Sequence, residues 1–452
     1  MIFLFLFSVT VFFPGVHQDD TDALYHYFTI GNYSDWQPPI YTIWWHIFKV
    51  RWSEFIVNMA VYYCGLIYLS YCFFKENKKW QNDLLIIFSF YPLYFTQIII
   101  SLKDVPYTGF LVLSLCALIL LQKPKNVVQS IFLWILFSIS IFMAIGFKYN
   151  GVFATLPMLF YAAYSIISKI TAKYYNFNLS KFPAYSLSLI SSIVLSIFII
   201  ALHNIITFDI FKAKHSYSSI LVMYNDMANI ECSSGNEVIP DEFFISSDRR
   251  EIMCNQFFIN YKNYEPLFLQ NWSGLQNPAV LIYDSENTTQ QYYDKVRKSW
   301  IKTVTSYPYD YIKYRAIFLY NILFNQWWWT PLDSSVNNNS IVQLSLAKIA
   351  IEERNDLAKF NGIFLLLGTI IALLYTILRN ANKFAVIVIS SSLLQFLSLY
   401  LVLGVPTARF FLWNYLAIIL TISLACPSKI KHISNNKIKT PSINYKKRKR
   451  KI

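Results

Sequence analysis

Apolar segments long enough to cross a bilayer recur along most of this chain, and they decide its fold class. A membrane-spanning helix needs ~17–25 mainly apolar residues. Such segments lie at 1–13 (short), 53–74, 84–100, 105–121, 127–147, 151–168, 184–211, 361–378, 384–403 and 409–426. Of all residues, 55% are hydrophobic and only 14% are charged, too few charges to cover a soluble surface. The sequence predicts an all-α polytopic membrane protein with about ten transmembrane helices.

The connections between these segments differ in charge, which predicts the orientation of the chain. The basic residues of the short connections lie mainly in alternate connections, and the C-terminal KKRKRK adds more on the same side: Lys75, Lys78, Lys79, Lys123, Lys125, Lys169, Lys173, Lys181, Arg379 and Lys383. The opposite short connections hold only Lys103, Lys148 and Arg409. Because cytoplasmic loops are enriched in Lys and Arg, we expect both termini on the cytoplasmic side of the membrane. The net charge of +14 then reflects topology and contact with anionic membrane lipids, not nucleic-acid binding.

This orientation divides the chain into four parts. We expect an N-terminal membrane module of about seven spans, a mixed extracytoplasmic loop domain, a C-terminal membrane module of about three spans and a basic cytoplasmic tail. Their ranges are 1–211, 212–357, 358–428 and 429–452, with the first external loop at 14–52.

Residues 311–332 of the external part are apolar but carry several charged and amide side chains. Counting them as a span would place every later loop against the positive-inside pattern, so we expect an amphipathic helix in the outer interface. Trp327–Trp329 would anchor it. A platform for a lipid chain or a sugar is the alternative role of this triplet.

Two cysteines, Cys232 and Cys254, are the only ones in the external part, whereas the other four lie in apolar segments. An oxidising compartment favours a disulfide between them. Two unpaired loop thiols are the alternative. The four cysteines in apolar segments behave as small buried hydrophobic residues.

The first external loop concentrates carboxylates where a span ends. Asp19, Asp20 and Asp22 follow the first apolar segment directly, and carboxylates at a membrane mouth are costly unless they face water, a partner or a substrate. With His17 they also form a candidate site for Mn²⁺ or Mg²⁺, since both ions suit hard oxygen ligands. The remaining alternative is a solvated loop in which an aspartate caps a helix that starts at Ala23.

Three cations lie at other external span ends. Lys103 precedes Asp104 between the third and fourth spans, Lys148 follows the fifth span, and Arg409 starts the last span. Together with the first-loop aspartates they would ring one outward-facing cavity. The alternative for each is a snorkelling interface residue or the partner of a nearby carboxylate.

Five short elements follow one another in the membrane part: Pro14-Gly15 with Asp20-Thr21, Asp35-Trp36-Gln37-Pro38-Pro39, Lys103-Asp104, Lys148-Tyr149-Asn150-Gly151 with Leu156-Pro157, and Arg409-Phe410. In this order they resemble the motifs of bacterial integral membrane glycosyltransferases of the glycosyltransferase C (GT-C) fold, such as the protein O-mannosyltransferase-like and aminoarabinose transferase-like enzymes. The resemblance covers most of the membrane part and little of 212–310.

The resemblance implies transfer of a sugar from a polyprenyl-phosphate carrier to a protein, lipid or glycan acceptor at the outer membrane face. It places the general base at Asp20, with Asp19 and Asp22 beside it, and a shift of one residue would move the base to Asp19. We expect Lys103, Lys148 and Arg409 to bind the donor phosphate without need of a metal. His26, Asp35, Trp36 and Gln37 are the expected substrate-binding residues. Gln37 stands where related sequences carry His, and an amide cannot shuttle a proton at neutral pH.

Two rival functions fit the same composition. A polysaccharide polymerase or ligase would depend on external basic residues such as Arg249, Arg250 or Arg315 and would tolerate Asp20→Asn. A transporter would need polar residues at mid-membrane depth and an internal repeat. The sequence offers only His203-Asn204 near a span end, which favours transport least.

Overall fold

The fold was analysed in a computed structural model of the chain. It describes residues 1–13, 25–26, 29–31, 33–35, 38–48, 51–76, 78–89, 91–99, 103–122, 124–174, 181–244, 250–251, 253–254, 288–324, 361–378, 382–402 and 411–425. Within these ranges the regular structure is helical and no strand is formed, apart from one isolated parallel bridge between Ser34 and Lys214. The all-α class is therefore confirmed.

Fifteen α-helices follow one another in the described ranges. They are α1 (Ile2–Phe12), α2 (Pro39–Phe48), α3 (Arg51–Lys75), α4 (Lys79–Ser89), α5 (Pro92–Ile98), α6 (Asp104–Leu120), α7 (Val127–Phe147), α8 (Gly151–Tyr174), α9 (Lys181–Asn204), α10 (Ser219–Ser234), α11 (Gln290–Ser306), α12 (Pro308–Phe324), α13 (Asn361–Leu378), α14 (Lys383–Val402) and α15 (Leu412–Ala425). A π-helical turn, Ile205–Ile210, continues α9.

Four of these helices are long and apolar enough to cross a membrane, which supports the membrane class. They comprise Ser53–Lys75, Val127–Phe147, Gly151–Thr171 and Pro183–Ile210. Five shorter apolar helices accompany them: Ile2–Phe12, Asp104–Leu120, Gly362–Leu378, Lys383–Leu399 and Leu412–Ala425. The count of about ten spans is not confirmed, because only four helices of the described residues combine the length and the hydropathy that a span needs.

The predicted span at 84–100 is not one helix. The chain forms α4 up to Ser89 and a separate short α5, which has Pro92 in its first turn. Proline suits the first turn of a helix but breaks a helix interior, because it lacks the amide hydrogen and its ring clashes with the preceding turn. The apolar run was long enough for a span, but the proline divides it.

Helix α6 forms the centre of the bundle, packed between α3 and α7. Close approach to α3 depends on Gly109, where an added Cβ would lie 2.8 Å from the backbone of Tyr62. Small residues allow membrane helices to pack at such short range. Because α6 is central, its first residues, Lys103 and Asp104, are held where α7 ends and α8 begins.

A second helical region, formed by α10, α11 and α12, follows the π-helical turn and has its own apolar core. Its described residues are helical, so the mixed character predicted for 212–357 is not seen there. Cys232 and Cys254, the cysteines expected to pair, form a disulfide in this region.

Helix α12 starts at Pro308 and packs against α10, α13 and α14, which joins the second helical region to the membrane helices. It occupies the place of the predicted interfacial helix at 311–332, but Arg315 is buried against Asp226 instead of facing an interface. Trp327–Trp329 lie outside the described residues.

Candidate functional site

The predicted site residues divide into two groups. Seven lie outside the described residues: His17, Asp19, Asp20, Asp22, Trp36, Gln37 and Arg409. The structure describes four: His26, Asp35, Lys103 and Lys148. Three of these four, Asp35, Lys103 and Lys148, belong to one end of the helix bundle. There, α7 ends, α6 and α8 begin, and the end of the first loop meets the segment after α9.

Asp35 fixes the end of the first loop to the segment that follows α9. Its backbone amide donates to the carbonyl of Lys214 at 3.1 Å, and the amide of Lys214 donates to the carbonyl of Tyr33 at 2.8 Å. One carboxylate oxygen of Asp35 accepts hydrogen bonds from the backbone amide of Ser216 and from its hydroxyl. The other oxygen lies 3.2 Å from Nδ1 of His215. Asp35 is thus a binding partner within the protein as well as an expected substrate ligand.

Tyr149 connects this loop to the bundle. Its hydroxyl donates to the backbone carbonyl of Asp35 at 2.6 Å. Desolvation of the hydroxyl raises the pKa of Tyr149 above its ordinary value, and the negative charge of the Asp35 carboxylate raises it further. The hydroxyl therefore keeps its proton at neutral pH. The residue before Tyr149 is Lys148, so the loop is placed one residue away from the predicted phosphate-binding cation.

Lys148 forms a buried ion pair with Asp104. Its ammonium lies 2.7 Å from Oδ1 of Asp104, and 5.2 Å from the centre of the Tyr107 ring. The two side chains are 7% and 5% exposed, which is far below the exposure of a surface pair. The Oδ2 atom of Asp104 is buried and has no hydrogen-bond partner within the part of the chain that the structure describes. The pair therefore balances its charge internally and still leaves one acceptor atom available.

Asn150 ties the start of α8 to the C-terminal helices. Its amide donates to the hydroxyl of Ser398 in α14 at 3.2 Å. Helix α14 ends at Val402. Arg409 itself is not described.

The structure also shows two residues that the sequence analysis did not select. Glu54 is fully buried one turn into α3, where it accepts a hydrogen bond from the hydroxyl of Tyr41 at 2.6 Å and another from Asn58. A Glu inside a predicted span was a signal of function or of a specific partner that could have been used. Here it fixes α2, which lies within the first external loop, to α3.

His215 is the second residue that was missed. Its ring is 48% exposed and stacks on Phe208 at 3.9 Å and on Tyr217 at 5.5 Å between ring centres. No sequence signal marked it, because its partner Asp35 is 180 residues away.

The remaining predictions have separate outcomes. His26 is exposed, and its backbone carbonyl accepts from the hydroxyl of Thr29 at 2.8 Å. His203, the basis of the transporter alternative, packs its ring on Phe142 at 4.1 Å. Among described residues no cluster of three potential metal ligands occurs, and the residues of the predicted metal site are not among them.

Chemically, this end of the bundle combines a histidine oriented by a carboxylate, a paired lysine and a buried carboxylate oxygen with free acceptor capacity. Such groups suit proton transfer and the binding of hydroxyl-rich or phosphorylated ligands. Comparison with known proteins adds no assignment: the chain matches no family model, no curated protein and no solved structure.

Proposed function

We propose that the protein is a membrane glycosyltransferase that moves a sugar from a polyprenyl-phosphate carrier to an acceptor. In this proposal the reaction takes place at the outer face of a bacterial inner membrane, and both termini lie in the cytoplasm. The fold proposed for this activity is the GT-C fold, on the sequence resemblance alone. The acceptor is a protein, a lipid or a glycan.

One observation carries the proposal: three sequence elements behind the resemblance contact one another. The backbone carbonyl of Asp35, in the Asp-Trp-Gln-Pro-Pro element, accepts a hydrogen bond from Tyr149. Lys148 belongs to the same element as Tyr149 and forms an ion pair with Asp104. In the sequence, Asp35 and Asp104 are 69 residues apart, and Asp104 and Lys148 are 44 residues apart. Motifs this far apart in the sequence come into contact only when the fold brings them together, so their contact supports a common site.

Among the described residues, Lys148 is the one that suits glycosyl transfer. Lys148 supplies a cation near the place where the carrier phosphate would leave, and its charge is held in place by Asp104. The resemblance assigns the base to Asp20, and a positioned carboxylate contributes typically ~10²–10⁴-fold as general base.

The polymerase or ligase alternative receives less support from the described arginines. Arg250 binds Glu231 at 2.8 Å and Asp241 at 2.7 Å, and Arg315 binds Asp226 at 2.9 Å. Side chains engaged in this way hold the second helical region together, whereas a polymerase would need them to bind substrate.

The test uses the full-length protein in proteoliposomes with a radiolabelled polyprenyl-phosphate hexose or pentose and bacterial cell-envelope extract as the source of acceptor. Wild-type protein should release free polyprenyl phosphate, and Lys103→Met and Arg409→Met should weaken donor binding. As a matched control, Lys125→Met, on the face predicted to be cytoplasmic, should leave release unchanged. Absence of release with both sugar classes would overturn the proposed activity.

A further inference from the structure

We infer that His215 accepts a proton in the reaction proposed above, with Asp35 as its positioning residue. The inference depends on the proposed glycosyl transfer and names a base that competes with Asp20. It is drawn from residues that the structure describes, and His215 belongs to none of the sequence motifs.

The contact with Asp35 determines which ring nitrogen is available. A carboxylate only accepts hydrogen bonds, so at 3.2 Å the Nδ1 atom of His215 carries the proton that faces Asp35. In the neutral ring Nε2 then holds the lone pair. Among the described residues, the hydrogen bond to Asp35 is the only one that this ring makes. A carboxylate that orients a histidine through Nδ1 while Nε2 faces a reactant is a recurrent arrangement for general-base catalysis.

Stacking holds the ring in one orientation. Phe208 covers one face with an interplanar angle of 28°, and Tyr217 stacks on the ring at an angle of 26°. Tyr217 in turn stacks on Tyr293 of α11 at 5.0 Å. With its faces packed and 48% of its side chain exposed, the ring presents an edge to its surroundings. The imidazole is therefore both fixed and accessible, as a proton acceptor needs to be.

The backbone around His215 is strained. Lys212 and Tyr217, which flank the segment that carries it, have φ angles of 52° and 51°. Non-glycine residues in the left-handed region cost on the order of 1–3 kcal/mol each and concentrate at functional sites. The pairing of Ser34 and Asp35 with Lys214 and Ser216 holds this conformation. A short surface connection does not need both strained backbone and this pairing. A segment that holds His215 at a fixed position does.

The location of His215 fits the reaction. Through Asp35 and Tyr149 it is linked to Lys148, the cation proposed to lie near the leaving phosphate. In the step, the acceptor hydroxyl gives its proton to Nε2, and its oxygen forms a bond to the anomeric carbon. The bond between that carbon and the carrier phosphate breaks, and its electron pair leaves with the phosphate. No metal or further reactant is required for this balance.

The experiment compares His215→Gln, His215→Ala, Asp35→Asn and Asp20→Asn in the release assay described above, with His432→Gln in the C-terminal stretch as the control. We expect His215→Gln to lower kcat by ~10²–10⁴-fold while binding of the labelled carrier is retained. Added imidazole should restore part of the turnover of His215→Ala, which a purely structural role would not allow. Asp35→Asn should add little to the loss in a His215→Gln background, because the two residues act as one unit.

The outcomes separate the two proposals. Wild-type release with near-normal turnover in both His215 variants overturns the inference and leaves the glycosyltransferase proposal standing. A full loss in Asp20→Asn with normal His215→Gln assigns the base to Asp20 and also overturns it. Absence of release by the wild-type protein with every donor overturns both.

Discussion

Two buried ion pairs join remote parts of this chain, and their surroundings differ. The bundle-end pair, Asp104 with Lys148, lies at 2.7 Å where α6 and α8 begin. The helical-region pair, Asp226 with Arg315, lies at 2.9 Å between α10 and α12. Side-chain exposure is similar, at 5% and 7% for the first pair and 1% and 6% for the second. Burial alone therefore does not separate a functional pair from a structural one.

The neighbours separate them. Around the helical-region pair, Trp300 donates to Oδ2 of Asp226 at 2.9 Å, and Asn225 donates to the hydroxyl of Tyr314 at 2.6 Å. Within the described residues, each pair leaves one buried aspartate oxygen without a hydrogen bond, Oδ2 of Asp104 and Oδ1 of Asp226, so this feature does not distinguish them. The bundle-end pair differs in that it adjoins the half-exposed cluster of Asp35, Tyr149 and His215. The functional role proposed for that pair depends on this neighbourhood.

Burial also shifts the pKa of the carboxylate in the helical-region pair. Desolvation raises the pKa of Asp226, although Arg315 and Trp300 oppose the shift. Removal from water thus outweighs the attraction of the partner for this carboxylate. Replacement of such a pair by apolar residues of similar volume is often neutral or stabilising. The helical-region pair is therefore expected to be replaceable, provided that both charges are removed together.

The largest effect is expected at the bundle-end pair. Lys148→Met alone leaves a buried aspartate and should cost about 3–5 kcal/mol of unfolding free energy. The double variant Asp104→Leu/Lys148→Met removes both charges, so it should recover most of this stability yet lose ~10²–10³-fold in turnover, the usual effect of a lost electrostatic contact to developing charge. Thermal unfolding in detergent and carrier release measure the two quantities. Wild-type turnover in the double variant would show that this pair is structural as well.

The helical-region pair should give the opposite pattern. Arg315→Met leaves Asp226 buried and unpaired and should also cost about 3–5 kcal/mol. Asp226→Leu/Arg315→Met should recover most of the loss, short of the ~1–3 kcal/mol left by the unmatched indole N–H of Trp300. Turnover per folded molecule should stay at the wild-type value, because no substrate-facing group changes. A large loss of turnover in this double variant would remove the distinction between the two pairs and revive a role for Arg315 in catalysis.

Local features of this fold are predictable from the sequence, whereas its long-range contacts are not. The predicted span at 127–147 coincides with α7, because its apolar run is bounded by Asn126, which caps the helix, and by Lys148. Pro92 also indicates a helix break from the sequence alone, but the length of the apolar run favours a single span at 84–100. By contrast, the partner of Lys148 is Asp104 and the partner of Asp35 is His215, and these pairs depend on how helices pack. The first-loop aspartates lie outside the described residues, so their role stays a prediction.

A smaller effect should follow from removal of the disulfide, which belongs to the helical-region side of the comparison. Cys232 and Cys254 are 22 residues apart, and a crosslink of this loop length contributes about 3 kcal/mol in the chain-entropy model. Cys232→Ser/Cys254→Ser should lower the unfolding temperature and leave turnover per folded molecule unchanged. Alkylation followed by mass spectrometry checks the bond: two free thiols in unreduced wild-type protein would contradict it. The matched control is Cys64→Ser, a thiol free in the structure.

The smallest and most closely matched contrast uses the two tyrosines that adjoin the cations in sequence, Tyr149 beside Lys148 and Tyr314 beside Arg315. Each hydroxyl forms a hydrogen bond of 2.6 Å, Tyr149 to the carbonyl of Asp35 and Tyr314 with the amide of Asn225. Replacement of either by Phe removes one hydrogen bond, worth about 1 kcal/mol.

For Tyr314→Phe this loss should be seen as a lower unfolding temperature with normal turnover, because the bond lies within a buried network. For Tyr149→Phe the half-exposed loop is released instead, so stability should change little and kcat should fall by up to about tenfold as Asp35 and His215 lose their fixed position. If Tyr149→Phe destabilises the protein and leaves kcat unchanged, the loop is merely packed against the bundle. The contrast between a functional and a structural pair would then depend on Asp104 and Lys148 alone.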